Sequence, residues 1–268
     1  MFGLLIILLI SSLPVIAVYV WFRLAKYQFS VYRFLFILLT GAAAFFPALL
    51  LQELLNFSFT DNRTALFFHH LIRIASTEEI SRLLMLLIFF RISARYIISS
   101  PEQSISLEPL SFSVIKKATA TGLVAGLGFA LLENAVYAAS DIRMLPLRVI
   151  LTAAVHGACG SRIGVAAVLL RTNPIQAIMR VLTAIAIHGI YNMMITMSGF
   201  SPVAAILIAI TALITAILAI QGGWSDGAAE DSKTVPENKF LASESQPLPA
   251  DMPQSIPPSA ENTLPESL

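Results

Sequence analysis

Long apolar segments recur along this sequence, and they constrain its fold more than any other feature. A helix needs about 20 apolar residues to cross a lipid bilayer. Only 12% of the residues are charged, about half the share that is usual in soluble domains. The sequence therefore predicts an all-α protein, a polytopic membrane bundle of about seven transmembrane helices. The predicted segments are 2–22, 34–55, 65–92, 117–139, 148–170, 178–198 and 202–221.

The loops between these segments predict the orientation and the limits of the membrane domain. Lysine and arginine favour cytoplasmic loops, and they concentrate after the first, third and fifth segments. The N-terminus is therefore expected outside and the C-terminus in the cytoplasm. Residues 1–221 form the predicted membrane domain. Residues 222–268 are acidic and rich in Pro, Ser and Gln, a composition that predicts a disordered cytoplasmic tail.

Two adjacent carboxylates, Glu78 and Glu79, lie inside the third apolar segment. Each charged group at bilayer depth costs roughly 2.5–3.5 kcal/mol, and two neighbouring carboxylates also repel each other. Arg82 follows them at spacings that share a helix face. We therefore expect Arg82 to balance the charge of the pair, and we expect the pair to have a function.

Three later segments each carry a polar side chain at a comparable depth. Glu133 lies in the fourth segment, His156 in the fifth, and His188 in the sixth, with Asn192 one helical turn after His188. At about 1.5 Å of rise per residue, these residues and Glu78 all fall in the middle to outer half of the membrane. The sequence therefore predicts that four helices bring carboxylates and imidazoles to one layer. Glycines on the same segments predict close helix packing, at Gly122, Gly126, Gly128, Gly157, Gly160, Gly164 and Gly189.

This combination of side chains fits two routes to hydrolysis of an amide bond. Carboxylate oxygens and imidazole nitrogens bind Zn²⁺, and a catalytic zinc site uses three protein ligands and leaves a position for water. Glu133, His156 and His188 are the candidate ligands, with a further glutamate as the base. In the metal-independent route a glutamate activates water directly, and histidine and asparagine donate hydrogen bonds to the developing oxyanion. Both routes stay open.

The motifs resemble those of the PrsW family of intramembrane proteases, relatives of the CAAX prenyl protease and of bacteriocin-processing membrane proteins. That family carries E-E-x-x-K, then F-x-x-x-E, then two helices with histidine, the last commonly as H-x-x-x-N or H-x-x-x-D. The matching stretches here are Glu78–Arg82, Phe129–Glu133, His156 and His188–Asn192. The resemblance covers roughly residues 65–198. It departs at Arg82, where the family usually has lysine, and arginine keeps the charge without releasing a proton.

The resemblance implies a peptidase of the bacterial inner membrane that cleaves membrane-anchored protein substrates, for example an anti-sigma factor. Glu78 is the favoured base, and Glu79 is the alternative. The expected catalytic residues are Glu78, Glu79, Glu133, His156 and His188, supported by Arg82 and Asn192. The expected cofactor is a divalent metal, Zn²⁺, bound by Glu133, His156 and His188.

Other functions and partners follow from the same residues. A proton- or cation-coupled transporter is the alternative, because intramembrane carboxylates and histidines also form proton relays. A non-catalytic membrane partner is a third reading. The lipid bilayer is an expected partner, whereas nucleic acid is not, because the sequence has no basic patch with interleaved aromatic residues.

Overall fold

The computed structural model describes residues 2–27, 29–55, 63–97, 112–197, 199 and 201–233. Within these ranges all regular secondary structure is helical, which confirms the predicted all-α class. The α-helices are α1 (Phe2–Ser11), α2 (Leu13–Leu24), α3 (Val31–Ala43), α4 (Phe45–Leu54), α5 (Arg63–Phe68), α6 (Thr77–Ile97), α7 (Phe112–Ser140), α8 (Leu145–Leu147), α9 (Ala153–Leu169), α10 (Pro174–Thr196) and α11 (Ser201–Lys233). Two π-helical segments, His69–Ser76 and Arg148–Thr152, and a short 3₁₀ turn, Ile142–Met144, complete the described structure.

The apolar helices of the described chain make it a polytopic membrane protein. Five helical stretches are long and apolar enough to cross a membrane, and α1 with α2, which meet at a 41° bend, raise the number to six if they form one span. The third predicted span, 65–92, is helical throughout but too charged to qualify by composition. The five stretches are Val31–Leu54, Val114–Ser140, Ile142–Leu169, Pro174–Thr196 and Ser201–Gln221.

The last helix extends further than the sequence predicted. Residues 222–233, which were expected to begin the disordered tail, continue α11 as far as Lys233. Ala228, Ala229 and Glu230 are good helix formers, and the first proline after the span comes only at Pro236. The rest of the predicted tail, 234–268, lies outside the described residues.

Local signals in the sequence begin two of the spans. Ser30 accepts a hydrogen bond from the backbone N–H of Arg33 at the start of α3. Asn173 accepts one from the N–H of Gln176 at the start of α10, where Pro174 occupies the first turn. Such side-chain acceptors satisfy backbone donors that the first helical turn leaves without partners.

Two π-helical segments lead directly into helices that carry predicted site residues. His69–Ser76 ends where α6 begins, just before Glu78, and Arg148–Thr152 ends where α9 begins, four residues before His156. π-Helical turns are rare and frequently occur at functional sites. The two segments therefore indicate a functional site between α6 and α9.

The helices α7 and α9 form the centre of the fold and approach each other backbone to backbone. Both spans are largely buried. A Cβ atom added at Gly126 would overlap the carbonyl oxygen of His156, and one added at Gly122 would overlap the carbonyl oxygen of Gly160. This confirms the predicted close packing and places the backbone of His156 directly against α7. On its other sides α9 packs against α6 and α10.

A single methyl group at this contact is expected to separate the two helices. Gly126→Ala should lower the free energy of unfolding by about 1–3 kcal/mol, the usual cost of overpacking. Gly157→Ala is the matched control, because its Cβ would meet only the flexible side chains of Leu127 and Leu123 at 3.4–3.8 Å. Unfolding of both variants in detergent measures the difference, and equal stability would contradict the backbone contact.

Candidate active site

Four helices bring the predicted polar side chains together in the interior of the bundle. Helix α6 supplies three of them, and α7, α9 and α10 supply one each. All are buried, and several are fully inaccessible. These residues are Glu78, Glu79, Arg82, Glu133, His156 and His188.

The guanidinium of Arg82 joins α6 to α9 and α7. Its Nη2 lies 2.8 Å from Oε1 of Glu79 and 3.0 Å from Nδ1 of His156. The group also lies over the ring of Phe129, 4.7 Å from its centroid. Since arginine only donates hydrogen bonds, Nδ1 of His156 is the acceptor. The proton of the neutral imidazole is therefore on Nε2.

The carboxylate of Glu133 accepts a hydrogen bond from Nε2–H of His156. Nε2 of His156 lies 2.5 Å from Oε2 of Glu133. The other carboxylate oxygen, Oε1, lies 2.7 Å from Nη2 of Arg148, at the start of the second π-helical segment. Glu133 is therefore fixed between a histidine and an arginine.

His188 is oriented by a carboxylate on a different helix. Its Nδ1 lies 2.8 Å from Oε1 of Glu79, so that Nδ1 carries the proton and donates it. Its Nε2 points towards Oε2 of Glu78 across 3.7 Å, beyond hydrogen-bond length. A carboxylate on one ring nitrogen commonly fixes a histidine whose other nitrogen binds a metal.

Glu78 is the least compensated carboxylate of this site. Its Oε1 accepts a hydrogen bond of 3.1 Å from the amide of Gln52 on α4. Its Oε2 is buried and has no hydrogen-bond partner among the described residues, and the nearest Arg82 nitrogen is 3.8 Å away. Oε2 of Glu79 also lacks a hydrogen bond, but Oε1 of Glu79 contacts both Arg82 and His188 at 2.8 Å. Within the described chain, Glu78 thus has no close cation for its charge and one oxygen, Oε2, that can accept a further hydrogen bond. Glu79, by contrast, contacts a cation directly.

The atoms suited to a metal ion differ from the predicted ligand set by one carboxylate. One ligand atom each from Glu78, His156 and His188 lie within 4.8 Å of one another. The predicted set contained Glu133 in place of Glu78. Glu133 instead binds the ring of His156 and the guanidinium of Arg148.

Two residues near the motifs have other contacts than the sequence suggested. The side chain of Asn192 makes no hydrogen bond to His188 or to any other described residue, and Glu79 orients His188 instead. Tyr137, which lies one helical turn after Glu133, stacks on Arg148, with 3.9 Å from its ring centroid to the guanidinium carbon.

Sequence reasoning missed two residues that contact the site. Gln52 lies near the end of the second predicted span, and Arg148 is the first residue of the fifth. Each contacts a carboxylate of the site. A polar residue within an apolar segment is a functional candidate by default, and this signal would have found Gln52.

A comparison with protein families accounts for the order of these motifs. The model of the PrsW family of intramembrane metalloproteases matches residues 31–220, which is more than half of the chain and includes every motif helix. The chain belongs to the PrsW family. This confirms the resemblance that the four motifs indicated. Comparison with curated proteins and with solved structures gives no match.

The buried charge of Arg82 is expected to be essential for stability in this PrsW family member. Arg82→Met leaves Glu79 without its cation and should cost about 3–5 kcal/mol of unfolding free energy. Arg82→Lys restores the residue usual in the family and should cost less, because it keeps the charge. Unfolding in detergent measures both, with Arg143→Ala as the control, since Arg143 is exposed and pairs with Asp141. A stable Arg82→Met protein would contradict the role of this charge.

Proposed function

We propose that this protein is an intramembrane peptidase that hydrolyses peptide bonds of membrane-anchored proteins. The proposed active site contains Glu78 and His188. The observation that carries the proposal is the open Oε2 of Glu78, which is buried, has no hydrogen-bond partner among the described residues and faces Nε2 of His188. Membership of the PrsW family supports protease chemistry. A buried carboxylate with an open acceptor is suited to take a proton from an attacking water.

The residues around Glu78 have separate tasks in this proposal. Oε2 of Glu78 accepts a proton from water as the water oxygen bonds to the scissile carbonyl carbon. Glu78 then returns the proton to the leaving amine as the carbon–nitrogen bond breaks. Gln52 holds the other oxygen of Glu78, and Arg82 holds Glu79, which in turn orients His188. The contacts of Gln52 with Glu78 and of Glu79 with His188 join different helices, whereas that of Arg82 with Glu79 lies within α6.

The donor set fits a divalent metal ion. Glu78, His156 and His188 would hold it, since each offers a ligand atom and these atoms lie within 4.8 Å of one another. Bound there, a divalent ion such as Zn²⁺ would supply Lewis-acid polarisation of a carbonyl and a nucleophilic water. In that route Oε2 of Glu78 would be a ligand, and Glu78 acts as the base only in the metal-independent route. His156 would have to give up its bond to Arg82 or to Glu133, because each ring nitrogen now has a partner. In this arrangement Glu133 orients His156 and does not itself bind the metal.

The substrate and the cellular setting are part of the same proposal. A buried site in a polytopic bundle favours substrates that are themselves anchored in the membrane, and a bacterial anti-sigma factor is the family-based example. The arginines and lysines of alternate loops support an inner-membrane protein with its N-terminus outside and its C-terminus in the cytoplasm.

Loss of Glu78 is expected to abolish cleavage. Glu78→Gln keeps the size of the side chain but removes the proton acceptor, so kcat should fall by roughly 10²–10⁴-fold. Glu53→Gln is the matched control, because Glu53 lies on α4 beside Gln52 but is exposed. Cleavage of a membrane-anchored reporter by purified protein in proteoliposomes measures both. Equal cleavage by Glu78→Gln and the wild type would refute the proposed function.

The metal content of the purified protein tests the ligand set separately. We expect about one divalent ion per chain in the wild type and in Glu53→Gln. The variants Glu78→Gln, His156→Gln and His188→Gln should each lose it, because a catalytic site needs three protein ligands. Elemental analysis after dialysis measures this. Full cleavage by a metal-free wild type would favour the route in which Glu78 acts alone.

A further inference from the structure

Arg148 makes three contacts to one short stretch of α7. Its Nη2 lies 2.7 Å from Oε1 of Glu133, and its Nε donates a 3.2 Å hydrogen bond to Oδ1 of Asn134. Its guanidinium carbon lies 3.9 Å from the ring centroid of Tyr137. A planar guanidinium is suited to bind a carboxylate and an amide oxygen while it stacks on an aromatic ring. Glu133, Asn134 and Tyr137 of α7 therefore form a binding surface for one arginine.

This arginine is unlike the neighbouring arginine of the same connection. The side chain of Arg143 is 87% exposed and pairs with Asp141, two residues away. The side chain of Arg148 is only 15% exposed and pairs with a carboxylate of the buried site. The two arginines are close in sequence, but their surroundings differ.

The contacts of Arg148 continue to the candidate catalytic histidine. Arg148 holds Oε1 of Glu133, and Oε2 of Glu133 accepts the Nε2–H of His156. The opposite nitrogen of His156 accepts from Arg82. The ring of His156 is thus fixed at both nitrogens, and on the Nε2 side the restraint passes through Glu133 to Arg148.

We propose that Arg148 is a positioning residue that holds Glu133 in place and thereby fixes the ring and tautomer of His156. Without Arg148, the buried carboxylate of Glu133 has no cation on Oε1, and only its bond to His156 restrains its rotation. His156 then loses its fixed acceptor. The effect on cleavage rests on the proposed function, whereas the effect on the His156 ring does not.

The ring itself provides the first test, because the chain has only four histidines. We expect ¹⁵N-histidine NMR of metal-free wild type in detergent to show a neutral His156 protonated on Nε2, assigned by its loss in His156→Gln. Arg148→Ala should shift or broaden these signals, and Arg143→Ala should leave them unchanged. Unchanged His156 signals in folded Arg148→Ala would overturn the proposal.

Cleavage kinetics provide the second test, on folded protein only. Arg148→Ala should lower kcat by about 10–100-fold, the usual effect of losing a residue that orients a ligand or base, with KM little changed. Arg148→Lys keeps the charge but not the three contacts, so it should restore part of kcat. It also replaces Arg148→Ala in both tests if that variant does not fold. If the Arg148 variants keep the wild-type kcat while Glu78→Gln is inactive, the positioning role is overturned and the proposed function stands. If the wild type cleaves nothing, the proposed function itself is overturned.

Discussion

The site depends on one fully buried guanidinium. Arg82 contacts Glu79 on its own helix, His156 on α9 and the ring of Phe129 on α7. A buried carboxylate without a partner is far more costly than one in a complete hydrogen-bonded pair. Arg82 thus allows the Glu78–Glu79 pair to lie inside a membrane bundle, and it fixes the tautomer of His156. The substitution of arginine for the lysine usual in the family suits these several simultaneous contacts, which a single ammonium group could not make with the same fork geometry.

The three carboxylates of the site differ in how many cations and hydrogen-bond donors they contact, and this difference is the basis for proposing Glu78 as the reactive residue. Glu79 contacts Arg82 and His188, and Glu133 contacts Arg148 and His156. Among the residues that the structure describes, Oε2 of Glu78 has no such partner, and it faces His188. The close glycine contact between α7 and α9 makes this arrangement possible, because it brings the backbone of His156 against the helix that carries Glu133. The same residue of α9, His156, thus takes part both in the close contact between the helices and in the candidate site.

The sequence predicted the convergence of the motifs better than their contacts. Glu78, Glu133, His156 and His188 were predicted to meet because polar groups at bilayer depth are costly unless they are satisfied inside the bundle. Spacing, however, shows only neighbours on the same helix. It placed Asn192 one turn from His188, whereas the polar contacts of His188 and Glu133 come from other elements. Glu79 contacts His188, and both His156 and Arg148 contact Glu133. The two π-helical segments could not be predicted either, because their residues show no spacing that distinguishes them from an α-helix.

The metal environment tests the central assignment most directly. X-ray absorption at the zinc edge, on zinc-loaded wild-type protein, reports which side chains bind the ion. With Glu78, His156 and His188 as ligands, the spectrum should show scattering from two imidazoles. The imidazole contribution should fall in His188→Gln, while His69→Gln should leave the spectrum unchanged. A wild-type spectrum without imidazole scattering, or one that His188→Gln does not alter, would contradict the account.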